Sequence, residues 1–302
     1  MNRISLIIPC YRDAATITRA LESVYRQTRP VEEVIVVIDC SPETEEIERV
    51  LRAFPHVVLV KHAVNLGLAA TRNTGVEAAT GDIVTFLDAD DELHPQKIEL
   101  QMHVMQNEGA STCEVLKVPP GASDLRHRPY QGPTPVETMR SVKKLLWSNR
   151  LTGASLMISK ELLRRVGGYD ASLRSCEDYD LWLRLLESGT AVQNIRLPLY
   201  IYHANPAGLS KDCRNISYWE AEVLRKYFVR ARVRVRQSSM AGLVWGWWML
   251  KHVMRAQKYR DSVLQARTVE NIKAMAGHPM IREGILLAAR ALAFSMCFRL
   301  KQ

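Results

Sequence analysis

At 302 residues the chain can bury a full α/β core and still carry a smaller second unit, and its 47% apolar and 24% charged residues exclude a disordered protein. The net charge of +9 is unevenly placed: residues 1–210 hold 23 Lys/Arg against 26 Asp/Glu, a net of −3, while residues 211–302 hold 18 against 6, a net of +12. The six cysteines (10, 40, 113, 176, 213, 297) lie far apart with no Cys-x-x-Cys pair, so neither a zinc site nor a disulfide framework is expected, and a reducing, cytoplasmic compartment fits.

Ile4–Ile8 reads as a short buried strand ending at Pro9, too short for a signal-peptide core. Ile17, Ala20, Leu21, Val24 and Tyr25 keep helical spacing, with Asp13 as a candidate N-cap and Pro30 beyond the end. Val34–Ile38 is a second buried strand closed by Asp39. Ser41 then caps a helix with Pro42 at its first position and acidic residues in its first turn. Val57–Val60 is a third strand, and Leu68–Ala79 a helix stopped by Gly81.

The stretch Thr80–Glu92 organises the rest. Ile83–Leu87 is an apolar run of the kind buried on both faces of a sheet, and it leads directly into Asp88, Asp90, Asp91 and Glu92. Carboxylates gathered at a strand end repel unless a cation offsets them, and a hard ion such as Mg²⁺ or Mn²⁺ suits oxygen ligands. For Asp91 and Glu92 a plain acidic turn before the next helix, with Pro95 near its start, explains the residues equally well. The strand–helix alternation predicts a doubly wound, largely parallel sheet that binds ligand at its strand ends. Neither a Gly-x-Gly-x-x-Gly after the first strand nor a P-loop motif is present, which sets aside dinucleotide and P-loop sites.

Residues 109–153 are less regular. One strand, Cys113–Val118, and a basic helix near Val136–Asn149 are expected there, followed by a strand over Ala154–Ser159 and a helix over Lys160–Val166. A second acidic group follows, with Glu177 and Asp178 at the start of a helix whose apolar face carries Leu181, Leu185 and Leu186. A carboxylate held there beside a substrate is a candidate general base; simple helix capping is the alternative.

Six segments in order carry a resemblance: Ile7-Ile-Pro-Cys-Tyr11, Ile35-Val-Val-Ile-Asp39, Asn65 to Gly75, Phe86-Leu-Asp-Ala-Asp-Asp91, Gly167-Gly-Tyr-Asp170 and Glu177 to Arg184. Over about residues 3–212 the chain resembles the inverting family 2 glycosyltransferases of the GT-A fold. The resemblance implies a catalytic domain over 1–212, with a nucleotide-sugar half over about 1–108 and an acceptor half over about 109–212. It also implies a donor such as a UDP-sugar and a glycan or lipid-linked acceptor. Pro9 and Tyr11 would line the nucleotide pocket, Asp39 would accept a bond from the base, and Arg72 would face the diphosphate. Asp88 would contact the ribose, Asp90 would hold Mn²⁺ or Mg²⁺, and Asp178 would be the base with Glu177 beside it near the acceptor. Tyr202-His203 stands where the family often has Tyr-Arg, and Asn205 where a His is common. A catalytically inactive binding module on the same fold and a metal-dependent nucleotidyltransferase are the alternatives.

Residues 213–302 form a basic helical region. Ile216 to Ala231 keep helical spacing, and an apolar stretch over 240–250 holds Trp245, Trp247 and Trp248 between basic runs. Clustered Trp beside cations predicts contact with an anionic membrane surface rather than nucleic acid, with packing of helices on protein as the alternative. No run reaches the length of a transmembrane helix, so attachment would be peripheral, on the cytoplasmic face.

Overall fold

The computed structural model describes residues 2–105, 109–119, 129–147, 149–205, 213–230 and 248. Four strands open the chain, β1 (Ile4–Cys10), β2 (Glu33–Ile38), β3 (Val57–Lys61) and β4 (Ile83–Phe86). Helices α1 (Ile17–Tyr25), α2 (Thr44–Leu51) and α3 (Leu68–Ala78) connect them. Helical crossovers return the chain in the same direction, so these strands pair in parallel in the order β3-β2-β1-β4. Every residue of β1 is buried, as a continuous apolar run in the middle of a covered sheet requires. Helix α3 lies close on β1: a Cβ at Gly75 would meet Ile7 Cγ2 at 2.3 Å, so only glycine permits this approach.

The remaining strands are β5 (Glu92–Leu93), β6 (Ala110–Val118), β7 (Val136–Met139), β8 (Met157–Ser159) and β9 (Val192–His203). They continue the sheet as β8-β6-β9-β5, with β7 also on β9. Strand β8 runs antiparallel to both β4 and β6, whereas β6 and β9 are parallel with a bulge around Glu114. The result is a mixed, doubly wound α/β sheet, less uniformly parallel than the strand–helix alternation of the first hundred residues suggests. Helices α4 (Lys97–Met105), α5 (Lys143–Trp147), α6 (Lys160–Arg165), α7 (Glu177–Glu187) and α8 (Cys213–Arg230) complete the described elements.

Several local expectations need correction. Thr16, not Asp13, precedes α1; the Asp13 carboxylate turns back to accept from the Tyr11 N–H at 2.8 Å. Helix α2 starts at Thr44, because the Ser41 hydroxyl accepts from both Arg12 N–H and Glu43 N–H and holds a turn before it. The basic helix expected over 136–149 begins as strand β7, drawn onto β9, and among the described residues of that range only Lys143–Trp147 is helical. The strand expected from Ala154 begins at Met157, after a single 3₁₀ turn over Gly153–Ser155.

Residues Met1–Val142 and Arg150–Gly208 form one compact unit, and Lys143–Asn149 with Leu209–Gln302 form another. In the second unit α8 confirms the helical spacing from Ile216. Trp248 is fully buried and its indole N–H donates to the Leu146 carbonyl, so this tryptophan is not available to a lipid surface. Trp245 and Trp247, the basic residues from 232 to 260 and the apolar segment 281–300 lie outside the described residues. Among the described residues no helix is long and apolar enough to cross a membrane.

Candidate active site

The carboxyl ends of β1, β2 and β4 leave the sheet along one edge, and the candidate residues follow them. Pro9 is buried within β1, opposite Val37 of β2. Tyr11, just past the strand, is 42% exposed. Asp39, just past β2, is buried and binds the loop that leads into α3. Its Oδ1 accepts from Leu66 N–H and from His62 Nδ1, and its Oδ2 from Gly67 N–H, each at 2.8 Å. Burial works to raise its pKa, but His62 and the two backbone donors outweigh it and hold the carboxyl below its ordinary value. Oδ1 is thereby filled, which leaves Oδ2 as the atom with room for one more donor.

Arg72, on α3, is buried and ties the two acidic groups together. Nη2 donates to Asp88 Oδ1 at 2.9 Å and Nη1 to Glu177 Oε1 at 2.5 Å. Burial opposes its charge, yet Asp88 and then Glu177 raise its pKa further. The guanidinium also lies over the ring of Tyr169, 5.5 Å from the centroid, and its buried Nε has no protein partner.

The four acidic residues after β4 have separate environments. Asp88 is partly exposed, with its carboxylate toward Arg72. Asp90 accepts from the Asn205 amide at 3.1 Å, and burial raises its pKa, with the charge of Asp88 adding to the shift. Asp91 and Glu92 do not form a solvated turn. Asp91 is buried and accepts from the Tyr200 hydroxyl and the His203 N–H, each at 2.8 Å. Glu92 pairs with His203 Nε2 at 2.7 Å. Both fasten the β4 exit to β9.

Glu177 and Asp178 are the first two residues of α7, as the helical pattern predicts. Asp178 accepts from Tyr179 N–H at 2.7 Å and, across the fold, from Gly153 N–H at 3.1 Å. Burial, then the neighbouring charge of Glu177, pushes its carboxyl up to about 7, while Arg72 and the two N–H donors oppose the rise.

The profile of "Glycosyl transferase family 2" matches residues 5–167. The chain belongs to glycosyl transferase family 2. An uncharacterized glycosyltransferase of Haemophilus influenzae is 30% identical over 244 residues, 78% of this chain and 81% of the relative. The putative colanic acid biosynthesis glycosyl transferase WcaA of Escherichia coli is 24% identical over 218 residues, 67% of this chain and 72% of the relative. Among solved structures, S. aureus TarS 1-349 in complex with UDP-GlcNAc superposes with a TM-score of 0.58 at 16% identity, covering 93% of this chain and 92% of that one. That likeness shows the GT-A fold.

Three residues beside these candidates in the glycosyltransferase have no mark in its sequence pattern. Asp13 reads as a helix cap, yet burial pushes its carboxyl up to about 7, and the charges of Asp90 and Asp88 add to the shift. Its position two residues past Tyr11, at a parallel strand's carboxyl end, is the signal that points to it. Gly153 meets Asp178 from a different segment, and Arg19 donates to the Asp90 carbonyl from α1; nothing local in the sequence announces either contact.

Proposed function

We propose that this glycosyltransferase moves a sugar from a nucleotide-diphosphate sugar, a UDP-sugar, to a hydroxyl of a glycan or lipid-linked acceptor by one inverting displacement. The observation that carries the reading is the Arg72 bridge from Asp88 to Glu177, which brings the acidic exit of β4 and the start of α7 to one guanidinium. Tyr11, Pro9, Asp39 and Asp88 would hold the nucleoside. Arg72 would meet the diphosphate, giving up part of its bond to Asp88 as the stronger anion arrives.

Asp178 would take the proton from the acceptor hydroxyl as the new bond forms. Burial and the charge of Glu177 raise its carboxyl well above the ordinary carboxylate range, which makes it a better proton acceptor once ionised. Glu177, already paired with Arg72, would orient the acceptor. A single displacement on the face opposite the leaving group inverts the anomeric centre.

The donor set at the β4 exit suits Mg²⁺ or Mn²⁺. Asp90 is a half-buried carboxylate of raised pKa with one oxygen on Asn205, and a divalent ion needs only one or two protein carboxylates when phosphates and water complete its shell. Asp90, with Asp88 close by, would hold that ion, which would supply positive charge to the departing diphosphate.

The net +12 of residues 211–302 supports a peripheral contact with an anionic membrane surface on the cytoplasmic face, through residues other than the buried Trp248. The test of the main reading is a thermal-shift panel of nucleoside diphosphates and UDP-sugars with Mn²⁺, Mg²⁺ or chelator. A metal-dependent shift with a nucleoside diphosphate supports it, and no shift with any nucleotide would sink it.

A further inference from the structure

The turn that presents Gly153 to Asp178 is held by the buried side chains of Ser155 and Thr112. The Ser155 hydroxyl lies 2.8 Å from the Thr152 carbonyl, which belongs to the same peptide unit as the Gly153 N–H. That N–H donates to Asp178 Oδ2 at 3.1 Å. Ser155 has one hydroxyl hydrogen, and its other carbonyl neighbour, Cys113, is farther away at 3.4 Å, so Thr152 receives it. Thr112 Oγ1 is in hydrogen-bond contact with Ser155 Oγ, and with the serine hydrogen committed, threonine is the donor.

Three donors therefore point the same way: Thr112 O–H to Ser155, Ser155 O–H to the Thr152–Gly153 peptide, and that peptide's N–H to Asp178. Both hydroxyl residues are buried, where aligned hydrogen bonds strengthen each other by on the order of 10–30% per bond. The turn is clamped on its far side as well. Gln101 Nε2 donates to the Ser155 carbonyl and the Thr85 hydroxyl to the Leu156 carbonyl, each at 2.9 Å.

We propose that Ser155 and Thr112 are positioning residues for the general base: they fix the Gly153 peptide against Asp178 and strengthen its N–H as a donor to the ionised carboxylate. They thereby set the pH at which Asp178 is ready to accept a proton, an inference that rests on reading Asp178 as the base. The other groups facing Asp178 are Glu177 on α7, Arg72 on α3 and Tyr169 in the loop before α7. Neither hydroxyl contacts any of these, so a change at 155 or 112 reaches Asp178 through the peptide.

The test is a titration of ¹³C-labelled aspartate carboxyls in Ser155→Ala, Thr112→Val and Thr112→Ser, with Asp178 assigned by Asp178→Asn. The same proteins are assayed for UDP-GlcNAc hydrolysis against pH with Mn²⁺. A weakened donor stabilises the carboxylate less, so the Asp178 midpoint should rise by about half a pH unit in Ser155→Ala and by less in Thr112→Val. It should return in Thr112→Ser. The acid limb of the rate should move with it, while KM stays within about twofold. An unmoved midpoint in Thr112→Val, whatever its melting temperature and even if Ser155→Ala fails to fold, overturns the inference. Should Asp178→Asn keep the acid limb of hydrolysis, the base reading fails, and with it the link to rate; the carboxyl titration separates that result from a failure of the hydrogen-bond chain.

Discussion

Gly153 packs directly against Asp178: the glycine N–H donates to Oδ2 at 3.1 Å, and a Cβ on the glycine would stand 2.3 Å from the aspartate Cβ. The approach that makes the hydrogen bond also forbids a side chain. A methyl group there must displace the turn or the first residues of α7.

Gly153→Ala should therefore lower turnover by about two decades, the scale of a misplacement near the reacting atoms, with a much smaller effect on donor binding. Steady-state kinetics on the donor that the nucleotide panel selects, with calorimetry on its nucleoside diphosphate, would check this. Equal losses in rate and affinity would show a general collapse of the site.

Removing the proton acceptor should leave binding alone. Asp178→Asn is expected to keep donor affinity and lose roughly two to four decades of rate. In the unsubstituted enzyme kcat should climb with pH through about 7, as the raised Asp178 carboxyl releases its proton. A flat profile across that range would remove Asp178 from the chemistry.

For the β4 exit, Asp90→Ala should abolish transfer and the metal-dependent part of nucleoside diphosphate binding, since the ion's charge would be lost and Arg72, shared with Asp88 and Glu177, would face the diphosphate alone. Titration calorimetry with and without Mn²⁺ measures it. Unchanged affinity on both substitution and chelation would count against a metal at this place.

Lys97 offers a test of stability. It is fully buried with its Nζ donating to Thr85 Oγ1 at 2.9 Å, and burial lowers its pKa to about 8. Between that value and the unfolded lysine range, the unfolded chain binds the extra proton, so native stability rises with pH there. Lys97→Met removes the buried charge and should abolish this rise, giving a protein at least as stable near pH 7. Melting temperatures measured across the neutral to alkaline range distinguish the two; parallel curves would mean the ammonium is better solvated than its surroundings indicate.

Much of the parallel half is written locally. Ile4–Ile8, Val34–Ile38 and Ile83–Leu87 are apolar runs between turn residues, and burial on both faces makes such runs legible. Glu177 and Asp178 are legible because an apolar helical face begins just after them. Val136–Met139 is not, since its pairing with β9 comes from residues more than fifty positions away, and tertiary pairing overrides a local pattern. For the same reason the sequence leaves Asp91 and Glu92 open between a cation-binding cluster and an acidic turn, whereas Tyr200 and His203 take them inside. Asp13 misleads in another way: cap and strand-end aspartates look alike until the direction of the carboxylate is known.

The reversal of β8 beside β4 acts as a ruler. Ile83 sits opposite Ser159 and Thr85 opposite Met157, so the turn entering β8 arrives at the edge where β4 departs toward Asp88. A slip of two residues would keep every side chain on its own face yet carry Gly153 away by roughly 6–7 Å, beyond reach of Asp178. The bond from the Thr85 hydroxyl to the Leu156 carbonyl closes off that slip. Three residue pairs in the middle of the sheet thus gauge the distance between Gly153 and Asp178, and a change in that register would part the two without altering either of them.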